Sequence, residues 1–154
     1  MVSIKALLDF AVYLDDVTMY NYALNAFQND ICAGIFGNYD TATGQSSETG
    51  RDQGHAVTGL GWAAEAARTV QSQGGDLYSI GNNLLLLASE YAAKYNLNYT
   101  VPYDRKFYRC EAVLINGPWS EPSPINRAVG IQPSGEQSPM VWDVSFFTPI
   151  LSNI

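Results

Sequence analysis

The sequence predicts an all-α fold: helical hairpins over residues 1–98, followed by an irregular, proline-rich region over 99–154. Three observations carry this. Apolar residues recur at helical spacing along four long stretches. Cap and stop residues, such as Asp15-Asp16 and Gly74-Gly75, punctuate those stretches. No group of segments reads as partner strands for a sheet.

The first helix is expected over residues 2–14, with Ile4, Leu7, Leu8, Ala11, Val12 and Leu14 on one stripe. Asp15 or Asp16 can cap a second over 16–28, facing Met19, Tyr20, Ala23, Leu24 and Phe27 inward. So short a connection makes the pair a helical hairpin. Residues 29–50 read as loop, broken by Asn29, Asp30, Gly34, Gly37, Asn38, Asp40 and Gly44. A third helix over 52–73 carries Val57, Leu60, Ala63, Ala64, Ala67 and Val70 and stops at Gly74-Gly75. Gly54, Gly59 and Gly61 each cost this helix up to about 1 kcal/mol relative to alanine. Their presence predicts close approach of another backbone or a ligand. Asp76 or Ser79 opens the fourth helix, 79–96, through Ile80, Leu84, Leu87, Ala88, Tyr91 and Ala92. Leu84-Leu85-Leu86-Leu87 is apolar nearly all round, so this helix should be buried on two sides. It is also the expected site of uncovered apolar surface and of self-association. Beyond Asn98, aromatics mix with cations, and Pro118, Pro122, Pro124, Pro133 and Pro139 dominate the remainder.

Composition excludes several classes. At 154 residues, 47% hydrophobic and 15% charged, the chain is the size of one ordinary domain and not disordered. A net charge of −7 argues against nucleic acid. No apolar run approaches the ~20 residues that span a bilayer, and Asp9, Asp15 and Asp16 interrupt the N-terminal apolar stretch, so neither a membrane segment nor a signal peptide is visible. The charge is uneven: residues 1–93 hold three cations and ten acids, residues 94–154 five of each. Lys94, Arg105, Lys106 and Arg109 form a local basic cluster that could hold an anionic substrate. Cys32 and Cys110 are either two buried thiols or one disulfide of an oxidising compartment.

The chemistry concentrates in Gly44-Gln45-Ser46-Ser47-Glu48-Thr49-Gly50-Arg51-Asp52-Gln53-Gly54-His55, which feeds directly into the third helix. It holds the chain's only histidine, three other charged side chains and no apolar one. If the helix begins early, Glu48, Asp52 and His55 share a face. Helix capping by Ser47 or Thr49 needs only one or two of these residues. Arg51, Gln45 and His55 are left over, so a functional site is preferred.

This segment resembles the signature of the alginate lyase domain family. Gln73-Gly74-Gly75-Asp76-Leu77-Tyr78, Asn82-Asn83-Leu84-Leu85, and Glu90 through Leu97 with Val101-Pro102-Tyr103 add to the likeness, which covers roughly residues 1–120. The resemblance implies an (α/α) toroid of helical hairpins around a groove, and an extracellular or periplasmic enzyme. Its chemistry is β-elimination on uronate polysaccharides such as alginate or glucuronan, with no cofactor. Related lyases place a carboxylate-binding asparagine upstream of the first hairpin, and residues after Asp143 do not continue the family pattern. Residues 1–154 therefore read as one partial domain, the middle of a toroid, which need not itself be active.

Elimination takes the proton from C5, beside the uronate carboxylate, and expels the oxygen on C4. The carboxylate must first be neutralised so that charge can build up, and a base and an acid must flank the two carbons. Arg51, Gln53, His55 and Glu48 supply neutralising groups; Tyr103 and Tyr108, beside Arg105 and Arg109, supply proton-transfer groups. A histidine is available as base near neutral pH, whereas an ordinary tyrosine at about 10 stands ~4 kcal/mol away. The resemblance nonetheless implies a tyrosine as base and acid, with the histidine at the carboxylate. The resulting assignment is Tyr108, His55, Arg51 and Glu48 as catalytic, with Gln45, Gln53, Arg105 and Tyr103 binding an anionic polysaccharide. A carboxylate pair of an inverting glycoside hydrolase is the rival for Glu48 and Asp52. A non-catalytic carbohydrate-binding or structural fragment is the other. A metal site from Glu48, Asp52 and His55 matches no specific ligand pattern.

Overall fold

The computed structural model describes residues 1–49, 53–97, 99–104 and 107, with Gln53 described by its backbone alone. The described residues are all-α: five helices, and one isolated antiparallel bridge between Tyr39 and Ser46.

Helix α1, Val2–Leu14, buries Ile4, Leu8 and Ala11. It stops at Asp15, whose left-handed backbone (φ 54°) returns its N–H to the Ala11 and Val12 carbonyls. The next residue starts the partner helix: the Asp16 carboxylate accepts the Met19 N–H at 2.9 Å. Helix α2, Val17–Asn29, then buries Ala23 and Phe27, with Met19, Tyr20 and Leu24 half-buried. The expected hairpin is present, offset by one residue in its second arm.

Residues 29–50 are not wholly loop. After the Asp30 carboxylate collects the Cys32 and Ala33 N–H groups, a four-residue helix, α3 (Ile35–Asn38), drops Ile35 into the core. Four residues are too few to register as periodicity. Cys32 is disulfide-bonded. The chain's one other cysteine, Cys110, lies outside the described residues.

Helix α4, Gln53–Ser72, buries every apolar position assigned to it: Val57, Leu60, Ala63, Ala64, Ala67 and Val70. Left-handed Gly74 (φ 82°) and the Gly75 N–H on the Val70 carbonyl close it. At Gly59, however, an added Cβ would meet only the Tyr39 hydroxyl at 3.8 Å, an ordinary contact. Close backbone approach is therefore not what that glycine provides.

Helix α5, Ile80–Asn96, opens differently from expectation. The Asp76 carboxylate gathers the Tyr78 and Ser79 N–H groups, and its pKa is held below the ordinary value first by the Ser79 hydroxyl and then by these N–H groups. Gly81, Asn82 and Asn83 then adopt a left-handed turn, and right-handed helix begins only at Leu84. Glycine and asparagine are the residues that tolerate this conformation.

Helix α1 packs on α2 and on α4, α4 on α5, and α3 on α2. The shared core holds Leu8, Phe27, Ile35, Leu60, Leu77, Leu84 and Leu85. A polar tie runs across α1 and α4: Lys5 pairs with Asp9 (2.8 Å) and Glu65 (3.4 Å), and Thr69 donates to Asp9 (2.8 Å). Leu84 and Leu85 are fully buried, and Leu86 and Leu87 pack against the core. The expectation that this run is the uncovered surface is thus overturned. Among the described residues, the first hairpin instead exposes Phe10, Tyr13, Leu14, Val17 and Tyr22, and Ile31, Leu97 and Tyr99 are exposed elsewhere. Residues 99–104 and 107 are irregular as expected, and the rest of the proline-rich region lies outside the described residues.

Candidate functional site

The approach to the motif is built by a tight, self-satisfied turn. One Asp40 carboxylate oxygen accepts the Ala42 N–H, the Thr43 N–H and the Thr43 hydroxyl, the local bonding that makes aspartate a turn former. The Asp40 N–H donates to the Gln45 carbonyl, the Gly44 N–H to the Asp40 carbonyl, and the Ser47 N–H to the Asn38 carbonyl. The Ser46 hydroxyl and carbonyl then take the Glu48 and Thr49 N–H groups at 3.1 and 2.9 Å. Gly44, with φ 78°, presses this turn onto α5. Glu48 and Thr49 therefore emerge from a fixed scaffold.

The segment 102–104 meets that scaffold from a distant part of the chain. The Gln45 amide donates to the Asp104 carbonyl and accepts the Asp104 N–H, both at 2.7 Å. The Tyr91 hydroxyl donates to the Pro102 carbonyl at 2.8 Å. Between these two attachments, the Tyr103 hydroxyl reaches the Thr49 carbonyl at 3.5 Å, a long contact. Burial raises the Tyr103 phenol above its ordinary pKa, and Asp104 adds to the effect. Tyr91 is raised further, first by burial and then by Tyr103, Tyr95 and Asp40. One buried hydroxyl in this turn, that of Ser47, has no hydrogen-bond partner.

The sequence-assigned residues fall into three groups. Gln45 and Tyr103 come together here, and Glu48 is half-buried next to Thr49. His55 is exposed on the first turn of α4, and Gln53 is that helix's first residue. Arg51, Asp52, Arg105, Tyr108 and Arg109 lie outside the described residues. Gln45 is 1% exposed, with both ends of its amide engaged, an arrangement unlike that of a side chain offered to a polymer. Tyr91 and Asp104 were not singled out by sequence reasoning. Tyr91 falls on the apolar stripe of α5 and reads there as core, and Asp104 takes part only through its backbone. Among the described residues, no group of three or more His, Cys, Asp or Glu side chains could hold a metal ion, and no helix is long and apolar enough to cross a membrane.

No family model, curated protein or solved structure matches the chain.

Proposed function

We propose that this chain is part of an (α/α) toroid polysaccharide lyase that cleaves uronate polymers of the alginate or glucuronan type by β-elimination. The observation that carries the reading is the meeting of two distant segments: Tyr103 reaches Thr49, one residue from Glu48. These are the segments from which elimination would draw its neutralising groups and its proton-transfer groups. The sequence likeness of residues 44–55 to the alginate lyase signature supports the same chemistry.

In this reading Arg51, Gln53 and His55 face the uronate carboxylate and disperse its charge. A base, Tyr108 or His55, takes the C5 proton; the electron pair forms the C4–C5 double bond; the C4–O bond breaks, and a tyrosine hydroxyl protonates the leaving oxygen. Half-buried Tyr103, its phenol held protonated, suits the donor's role better than the base's. The acidic surface repels a polyanion only within about 8–10 Å at physiological salt, so local cations can still capture it. The disulfide at Cys32 supports an extracellular or periplasmic setting.

The test is to incubate the protein with polymannuronate, polyguluronate and glucuronan and to follow the ultraviolet absorbance of the unsaturated uronide. Absorbance that rises with any polymer supports the lyase. New reducing ends without that absorbance would indicate the inverting hydrolase instead, and failure to bind any of the three polymers would overturn the reading.

A further inference from the structure

We infer that Gln45 is a positioning residue, which acts with Tyr91 as a clasp that holds Tyr103 against the motif turn. The kinetic consequence rests on the lyase reading; the clasp itself does not. A glutamine amide carries one donor and one acceptor on the same edge, the pair a peptide group offers along a strand. Gln45 uses both on one residue, Asp104, 59 positions away, and is 1% exposed while doing so. A group so enclosed is not presented to a polymer arriving from solvent. It substitutes for a neighbouring strand at a single residue.

The second attachment lies two residues earlier, where the Tyr91 hydroxyl holds the Pro102 carbonyl. Tyr103 is thus bracketed, one fixed residue on each side. Both attachments share a foundation. Gly44, adjacent to Gln45, approaches the backbone of Leu87 and Ala88, and Tyr91 follows Leu87 by one turn of the same helix. The Tyr103 hydroxyl is therefore set relative to Thr49 and Glu48 by the body of α5 and not by the loop's own preferences. Misplacement of a reacting group by about 1 Å can cost on the order of 10²-fold in rate, so the clasp should appear in turnover before it appears in substrate affinity.

The experiment compares Gln45→Leu, Gln45→Glu and Tyr91→Phe with the parent chain. A glutamate carboxylate cannot donate to the Asp104 carbonyl, but its protonated form can donate and accept as the amide does. Gln45→Glu should lose about 10²-fold in kcat at neutral pH with KM little changed. Its activity relative to the parent should recover as the pH falls through the new carboxyl's pKa, whereas Gln45→Leu should show a loss independent of pH. A readout free of catalysis is hydrogen exchange at the Asp104 amide together with the Tyr103 ring resonances. Protection should be present in the parent, lost in Gln45→Leu and regained by Gln45→Glu at low pH. Should Gln45→Leu fail to fold, Tyr91→Phe keeps the core ring and removes only the hydroxyl, and it should release the Tyr103 resonances. An unchanged Asp104 amide in Gln45→Leu, or a raised KM with unchanged kcat, would overturn the inference. Exchange that follows the clasp in a chain that neither binds nor cleaves any uronate polymer would leave the clasp standing and sink only the lyase.

Discussion

Gly44 lies so close to α5 that a Cβ on it would stand 2.5 Å from the Leu87 carbonyl oxygen and 2.8 Å from the Ala88 nitrogen. Those atoms belong to a helix backbone and cannot swing aside. Gly44→Ala should therefore combine a left-handed φ, about 1–3 kcal/mol for a non-glycine residue, with displacement of the turn that carries Gln45. Gly74→Ala is the control: its φ is equally left-handed, but nothing lies within 4 Å. Chemical denaturation should rank Gly44→Ala well below Gly74→Ala, and equal losses would show that the close approach carries no energy.

A second prediction concerns the turn that opens α5. Asn82 (φ 57°) and Asn83 (φ 63°) are exposed, so little but backbone conformation is at stake in replacing them. Asn83→Ala should destabilise by roughly 1–2 kcal/mol, while Asn83→Gly should be near neutral or better. If alanine proves harmless by the same denaturation measurement, the left-handed turn is not present in solution.

The first hairpin leaves Phe10 59%, Tyr13 85%, Leu14 59% and Val17 68% exposed within about two turns of chain. Clustered apolar surface of this kind drives association. Sedimentation of the parent should depend on concentration, and Phe10→Lys with Tyr13→Lys should shift it toward monomer. Leu86→Lys, on the run first expected to be uncovered, should impair folding instead, because Leu86 packs against the core.

These results bear on what can be read from the residues alone. Helices α1, α2 and α4 were legible because stripes such as Leu60, Ala63, Ala67 and Val70 coincide with real stop signals at Asp15 and Gly74 and a real start signal at Asp16. Apolar periodicity overstated burial in α1, where Val12 and Leu14 lie on the stripe yet are exposed. It also masked the left-handed turn, since Asn82 and Asn83 sit inside an otherwise helical pattern and only tertiary packing decides their hand. In the site, the contact of Tyr103 with Thr49 agrees with the expected approach of the tyrosine segment to the motif. The hydrogen bonds of Gln45 to the Asp104 backbone were not legible: an amide in a polar stretch looks the same whether it binds a ligand or a backbone 59 residues away.

Alkaline pH should unfold the chain for identifiable reasons. Burial raises the phenols of Tyr39, Tyr91 and Tyr103 above the ordinary value of 10.0, and Lys5 is raised above 10.5, chiefly by its hydrogen bond to Asp9. All four shifts have one sign. The folded state keeps protons that the unfolded chain releases, so the stabilisation is whole below pH 10, where both states are protonated, and is lost as pH climbs through the folded values. Spectrophotometric titration should find that Tyr39 and Tyr91, among the ten tyrosines, ionise only as the fold is lost. Tyr39→Phe should retain more stability than the parent above pH 10. Free titration of all ten tyrosines before unfolding would contradict the burial assigned to these two.

The remaining prediction separates the tyrosines. An ordinary phenol is about 3 units, or ~4 kcal/mol, from ionisation at pH 7, and burial together with Asp104 moves Tyr103 further in that direction. A base needs the opposite shift, whereas a proton donor to the leaving oxygen is served by a phenol that holds its proton. On the lyase reading, Tyr103→Phe should therefore slow cleavage of natural polymers, whose leaving group is a poorly acidic sugar hydroxyl, by about 10²–10⁴-fold. It should do much less harm with an activated uronate bearing a phenolate-type leaving group, because such an oxygen departs without protonation. Tyr108→Phe, if Tyr108 is the base, should slow both substrates alike, since C5 deprotonation is common to them. His55→Ala should also affect both, through the carboxylate. An equal effect of Tyr103→Phe on the two substrates would remove Tyr103 from the donor's role and return it to substrate binding.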